Sequence, residues 1–170
     1  MRWTVTSGYT PGCIGRIAQL HAEYYHPLVG FGLPFESRVA RELTEFCERF
    51  NPAQDGLWLV RDAATQAVHG AIAIDGAQAA TGGAHLRWFI TSDALRGQGL
   101  GRTLLHQAMD FCQRQGYPRV VLSTFEGLHA ARHLYEAAGF KLTHQALGQH
   151  WGAEVNEQLF EYTAASRAKP

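Results

Sequence analysis

The chain has 170 residues, 46% of them hydrophobic, and its 15 Lys and Arg balance 15 Asp and Glu. That length supports one well-buried core and falls short of two ordinary domains. A neutral balance lacks the cationic excess on which nucleic-acid and anionic-membrane proteins depend, so no nucleic-acid partner is expected.

Cys13, Cys47 and Cys112 are widely spaced, with no Cys-x-x-Cys pair. This argues against a disulfide framework or thiolate zinc site and for a reducing cytoplasm. No apolar run reaches the about 20 residues of a membrane span, so no membrane partner is expected either. Residues 2–6 alternate, Trp3 and Val5 against Thr4 and Thr6, as a short strand. Ile14, Ile17, Ala18, Leu20 and Tyr24 predict a helix over residues 13–25 that Pro27 ends, and residues 30–34 read as a loop. A second helix over residues 35–50 carries Val39, Leu43, Phe46, Cys47 and Phe50 on one stripe. Cys47 there, and Cys112 further on, read as small buried hydrophobes. Residues 51–56 form a turn cluster, and residues 57–60 and 68–74 a hairpin closed by the polar residues 62–66.

After a connection rich in alanine and glycine, residues 85–91 are β-branched and aromatic enough for a strand. Leu100, Leu104, Ala108, Phe111 and Cys112 then mark one face of a helix, with Gly116 as its C-cap. Residues 120–124 are a buried strand, residues 128–138 a short helix, and residues 140–147 and 155–163 two final strands. The order β, α, α, β, β, β, α, β, α, β, β predicts the α/β (α+β) class, with a mixed, mostly antiparallel sheet and helices on both faces. Residues 1–164 are expected to be one domain and residues 165–170 a loose tail.

Between the strand ending at Thr91 and the helix starting at Leu100 lie Arg96, Gly97, Gln98, Gly99, Leu100 and Gly101. Glycine lets such a loop take positive φ and approach a ligand closely, and the first free N–H groups of the following helix favour negative charge. Diphosphate is the natural guest. No Lys-Ser or Lys-Thr follows, as a nucleoside triphosphate loop requires, and the loop does not follow the first strand of a doubly wound sheet.

Arg96-x-x-Gly99-x-Gly101, between that strand and that helix, resembles the acetyl-CoA pyrophosphate loop of the GNAT superfamily of N-acetyltransferases. The run from Leu134 and Tyr135 to Gly139 and Phe140 is similar to the Leu-Tyr-x-x-x-Gly-Phe signature that closes the cofactor cleft there. Ala130, Ala131 and Arg132, together with Tyr24, Tyr25, Gly30, Phe31, Phe35 and Glu36, resemble the acetyltransferase half of proteins fused to MarR-type regulators. The resemblance implies a sheet of six to seven strands flanked by about four helices and splayed between the fourth and fifth strands. It implies acetyl-CoA as co-substrate and no metal. The backbone of Phe89, Ile90 and Thr91 would pair with the pantetheine arm. Arg96, Gly97, Gln98, Gly99, Leu100, Gly101, Arg102 and Thr103 would hold the diphosphate. The implied reaction is acetyl transfer to a primary amine of a small molecule or peptide by direct attack in a ternary complex, with Tyr135 near the sulfur as general acid. The alternative is a non-catalytic acyl-CoA-binding or regulatory module. An asparagine often found before the Tyr135 helix is absent, as is the strand-borne glutamate some members use as base.

Glu23, Glu36, His26, His85 and His150 are candidate bases, Glu36 and His150 first because each borders a loop of aromatics and glycine; a water chain is the other route. Tyr24, Tyr25 and Phe31, with Phe35, Trp88 and Trp151, suit an acceptor amine with an apolar body. The same aromatics would equally serve as core or as a homodimer contact. Arg87 is a candidate to orient an acceptor carboxylate, with a structural ion pair as the alternative. Of the nine histidines only His129 and His133 form a helical i, i+4 pair, with no carboxylate at ligand spacing, so no metal is expected.

Overall fold

The structure, a computed structural model, describes residues 2–165; most of the expected tail lies outside the described residues. The elements run β1 (Trp3–Ser7), α1 (Cys13–Val29), α2 (Leu33–Glu48), β2 (Gly56–Asp62), β3 (Val68–Asp75), β4 (Ala84–Thr91), α3 (Leu100–Gln115), β5 (Arg119–Phe125), α4 (His129–Ala137), β6 (Lys141–Gly148) and β7 (Val155–Thr163). A single 3-10 turn, Asp93–Leu95, follows β4.

This is the order read from the sequence, and the differences lie at two prolines. Pro27 does not end α1, which continues to Val29 and closes on Gly30 in the left-handed conformation. A proline one turn from a helix end forfeits only one hydrogen bond, and the exposed last turn tolerates that. Pro34 is not in a loop but in the first turn of α2, where its missing N–H costs nothing.

The seven strands lie in the order β1-β2-β3-β4-β5-β7-β6. Every neighbouring pair is antiparallel except β4 and β5. That parallel pair is joined only at Ala84 with Val120 and His85 with Val121, after which the strands part. β4 is diverted by a bulge. Ala73 pairs with Arg87 and Ala71 with Ile90, so Ile72 alone faces both Trp88 and Phe89. Trp88 takes a φ of 49°, unusual for a residue with a Cβ.

The extra residue switches faces along β4. Ala84 and Leu86 pack with α3 and α4, whereas Trp88 and Ile90 pack with α1 and α2. The sheet thus carries a separate core on each face: Ile17, Leu43 and Phe46 centre one, Leu104, Leu122 and Phe160 the other. The gap between the diverging strands connects the two sides.

Candidate functional site

α3 begins without a side-chain cap. Gly99 precedes it in the left-handed conformation (φ 71°), and no acidic residue lies in the first turn. The first bond of its ladder runs from the Thr103 N–H to the Gly99 carbonyl at 3.0 Å, and the Thr103 hydroxyl donates to the same oxygen at 3.2 Å. The N–H groups of Leu100, Gly101 and Arg102 therefore precede the ladder, pointing out of the helix end. Gly97 (φ 72°) and Gly99 have nothing within 4 Å of where a Cβ would stand, so glycine serves conformation there, not space. Gly101 differs. A Cβ on it would sit in ordinary contact, 3.6 Å from both Phe89 and Leu134, which places the loop against the end of β4 and the side of α4.

The loop side chains are mostly occupied elsewhere. The Gln98 carboxamide accepts a 2.6 Å bond from the Trp3 indole and donates to the Ala94 carbonyl at 2.7 Å, tying the loop to β1. Arg96 pairs with Asp93 at 2.6 Å on the surface, and Arg102 is exposed. Arg102 also borders an open groove of about 1160 Å³ between α3 and α4, shared with His106, His133 and Leu134. The arrangement is a cradle of backbone donors, with two arginine side chains at its rim.

A cavity of about 190 Å³ runs through the splay. On the α3–α4 side it meets Leu86, Phe89, Leu122, Thr124 and Tyr135. On the other it opens between the sheet and α1–α2, against His85, Arg87, Ser123 and Phe125 below and Tyr25, Phe31 and Phe35 above. Trp151, from the loop between β6 and β7, closes one end over Phe31 and Phe125 (ring centroids 6.1 and 5.9 Å). The Ser92 N–H donates to the His69 carbonyl at 2.7 Å, which sets the hydrogen-bonded register of β3 and β4. By the alternation of an antiparallel ladder, Thr91 turns its own N–H and C=O the other way, into the gap; Ile90 turns its pair toward β3.

Tyr135 is buried on α4 among Phe89, Phe140 and Phe160, with centroids 6.0 to 6.1 Å away, and its ring reaches the cavity. Burial, and then the neighbouring Tyr25, push its hydroxyl far above the usual phenol range. It keeps its proton. Burial likewise raises Tyr25, with Tyr24 adding to the effect. His85 is lowered to about 4, chiefly by burial and then by the positive charge of Arg87, so it is neutral at pH 7.

The structure gathers Tyr25, Phe31, Arg87, Phe89 and Tyr135 around one cavity. It does not bring Glu36, His150 or Tyr24 there. Glu36 is exposed in the first turn of α2, where a carboxylate favours the helix start. His150 is on the surface, its Nδ1 2.5 Å from Glu157. Tyr24 is exposed and lies edge-on against Tyr25. Of the other candidate bases, Glu23 bonds Gln19 at 2.6 Å, and His26 donates to the Phe31 carbonyl at 2.9 Å. Arg87 joins Glu42 and also lies 3.5 Å from Asp75, with its guanidinium 4.2 Å over the Trp88 ring. Arg87 thus forms structural ion pairs while lining the cavity.

Among the cavity residues that the sequence did not single out as site candidates are His21, Arg38, Glu42 and Ser123. Glu42 stands between Arg38 (2.9 Å) and Arg87, and Arg38 also donates to the His150 carbonyl at 2.7 Å. The i, i+4 spacings of His21 with Tyr25 and of Arg38 with Glu42 were the available signals. Among the described residues no group of three or more His, Cys, Asp or Glu is gathered closely enough to hold a metal ion.

The chain belongs to the acetyltransferase (GNAT) family, whose sequence model matches residues 16–140. Human N-acetyltransferase 8B is 38% identical over 61 residues, which are 36% of this chain and 27% of that protein, so the match spans about a quarter of its length. An acetyltransferase of the GNAT family from Staphylococcus aureus Mu50 superposes with a TM-score of 0.76 at 13% identity, over 95% of this chain and 99% of that one. The yncA protein of Salmonella typhimurium, solved with its cofactor acetyl-CoA, superposes at 0.74 and 18% identity, over 100% of this chain and 98% of its own. These two likenesses speak for the fold.

Proposed function

We propose that the chain is an acetyl-CoA-dependent N-acetyltransferase that acetylates a primary amine of a small molecule, or of a peptide, in a ternary complex. The observation that carries this reading is the continuity of the cavity through the sheet. Its α3–α4 side adjoins the uncapped helix start, and its α1–α2 side is walled by aromatics and ion pairs suited to an acceptor. Donor and acceptor would enter from opposite faces and meet in the splay.

The uncapped N–H groups of Leu100, Gly101 and Arg102 fit a diphosphate, with Arg96 and Arg102 adding charge at the rim. The Thr91 amide would pair with the pantetheine arm. When bound, acetyl-CoA supplies a thioester carbon for attack. The amine nitrogen bonds to that carbon, the carbon–sulfur bond breaks, the nitrogen loses a proton and the thiolate gains one. Tyr135 holds its proton on the cavity wall and gives it to the departing sulfur. Neutral His85, on the acceptor side, takes the amine proton directly or through a water.

The finer likeness to acetyltransferase halves fused to MarR-type regulators rests on the residues around Tyr24 and Ala130 alone. The protein is proposed to work in the cytoplasm; no helix among the described residues is long and apolar enough to cross a membrane.

The deciding experiment is calorimetric titration with acetyl-CoA, beside a Gly99→Glu, Gly101→Glu double variant. Micromolar binding lost in the variant supports the assignment of the loop. A wild-type protein that ignores acetyl-CoA would refute the enzyme reading.

A further inference from the structure

α1 contributes two side chains to the cavity wall, His21 and Tyr25, one helical turn apart. His21 is 6% exposed, and its rings of contact are Tyr25 and Phe35, with centroids 6.1 and 6.3 Å away. Its Nδ1 lies 2.8 Å from the Ile17 carbonyl. A carbonyl accepts only, so Nδ1 carries the hydrogen and Nε2 is left with a lone pair. Among the described residues Nε2 has no hydrogen-bond partner, and His21 lines the cavity. The charged groups that α2 adds to this wall, Arg38 and Glu42, are already paired. The Tyr25 hydroxyl both donates and accepts, whereas His21 Nε2 in this tautomer can only accept.

We infer that His21 Nε2 is a specificity element of the acceptor site, and that the acceptor is a small aromatic amine bearing a hydroxyl or N–H donor on its body. This rests on the reading of the chain as an N-acetyltransferase. Tyr25 packs edge-on against Phe125 at the end of β5, 5.7 Å between centroids, and shares the cavity with Tyr135, so the Tyr25 end of the α1 wall is the transfer end. His21 sits about 6 Å further along the helix axis, four residues at about 1.5 Å each. The donor on the acceptor body therefore lies about that far from the reacting nitrogen, across the ring. Tyr25, Phe31, Phe35, Phe125 and Trp151 all line the cavity, so a ring placed there meets aromatic walls. An acceptor lacking the donor leaves a buried nitrogen desolvated and unpaired, and that asymmetry discriminates strongly. His21 itself takes no part in the chemistry; it positions.

The test compares phenethylamine with 3- and 4-hydroxyphenethylamine as acceptors, following CoA thiol release in the wild type, His21→Phe and His21→Gln. The wild type is expected to favour the better hydroxylated amine by about 10- to 100-fold in kcat/KM, mostly through KM. His21→Phe, which keeps the bulk and loses the lone pair, should collapse that ratio toward one, and His21→Gln, with an acceptor oxygen near the Nε2 position, should restore part of it. In wild-type protein labelled at histidine nitrogen, the His21 Nε2 resonance should shift with the hydroxylated amine and not with phenethylamine, a reading that needs no variant to fold. A wild type without preference, a His21→Phe enzyme that keeps it, or a protein that binds acetyl-CoA yet acetylates none of the three amines would overturn the inference. Failure to bind acetyl-CoA at all would instead strike the enzyme reading on which it stands.

Discussion

Tyr135 and His21 are the two side chains whose surroundings say most about what they do. Tyr135 is sealed among aromatic rings with its proton held firmly, on the cavity wall. Replacing Tyr135 with phenylalanine removes one oxygen and no packing, so the variant should fold and bind acetyl-CoA while kcat drops by about 100-fold or more. Undiminished turnover of that variant would show that the hydroxyl is a bystander. His21 makes a prediction about acid stability. Burial outweighs its bond to the Ile17 carbonyl and lowers it from 6.5 to about 4. Above pH 6.5 the ring is neutral in folded and unfolded chains alike and costs nothing. Between 6.5 and about 4 the unfolded chain takes up a proton that the folded one refuses, so stability falls as pH falls, by at most about 1.4 kcal/mol per unit. Urea midpoints from pH 7 to 4.5 should therefore decline more steeply for the wild type than for His21→Phe, and parallel curves would contradict the assigned burial. Tyr135 was legible in the sequence because it sits inside a motif of fixed spacing. His21 was not, because its burial depends on α2 and the sheet, which no local pattern around it announces. Glu36 and His150 show the converse. Each adjoins an inward-facing aromatic, Phe35 and Trp151, but a neighbour about 100° round a helix, or one residue along a loop, points elsewhere.

At the scale of elements, the start of α3 and the bulge in β4 position the site. Strand and helix periodicities made the element order readable, since each element buries one face and the sequence must alternate accordingly. The bulge at Trp88 left no such trace, because residues 84, 86, 88 and 90 are all buried, though on two different faces. The glycines of the α3 start separate conformation from ligand approach. Gly99 has a positive φ and open space around it, so Gly99→Ala should destabilise the protein by about 1 kcal/mol through the backbone alone. Gly101 lies within the helix with room for a methyl group in ordinary contact, so Gly101→Ala should stabilise it by up to about 1 kcal/mol. Both should weaken acetyl-CoA binding, because each adds a carbon beside the N–H groups assigned to the diphosphate. Urea melts and calorimetry on the pair check this. A Gly101→Ala protein that is more stable and binds acetyl-CoA with unchanged affinity would detach that residue from the cofactor site.

The whole molecule is two half-sheets, β1 to β4 and β5-β7-β6, sewn together along only two residue pairs. The core on each face spans both halves, and at the splay between them lies the cavity that the acyl donor is proposed to fill. A ligand bonded to Thr91 on one lip and packed against β5 and α4 on the other adds a bridge across the splay, where the strands make no backbone pairs. Stabilisation by a ligand that binds only the folded state follows mass action, about 2.7 kcal/mol at a hundred times its Kd. For a chain of this size that is a rise in Tm of roughly 5 to 10 °C. The rise by itself would accompany binding anywhere. What distinguishes the splay is location: acetyl-CoA should slow hydrogen exchange at the Thr91 amide and at the first turn of α3. It should leave the β1–β2 and β6–β7 pairings, remote from the gap, at their own rates. Protection confined to the surface groove between α3 and α4, with Thr91 exchanging as before, would place the ligand outside the sheet and leave the splay empty.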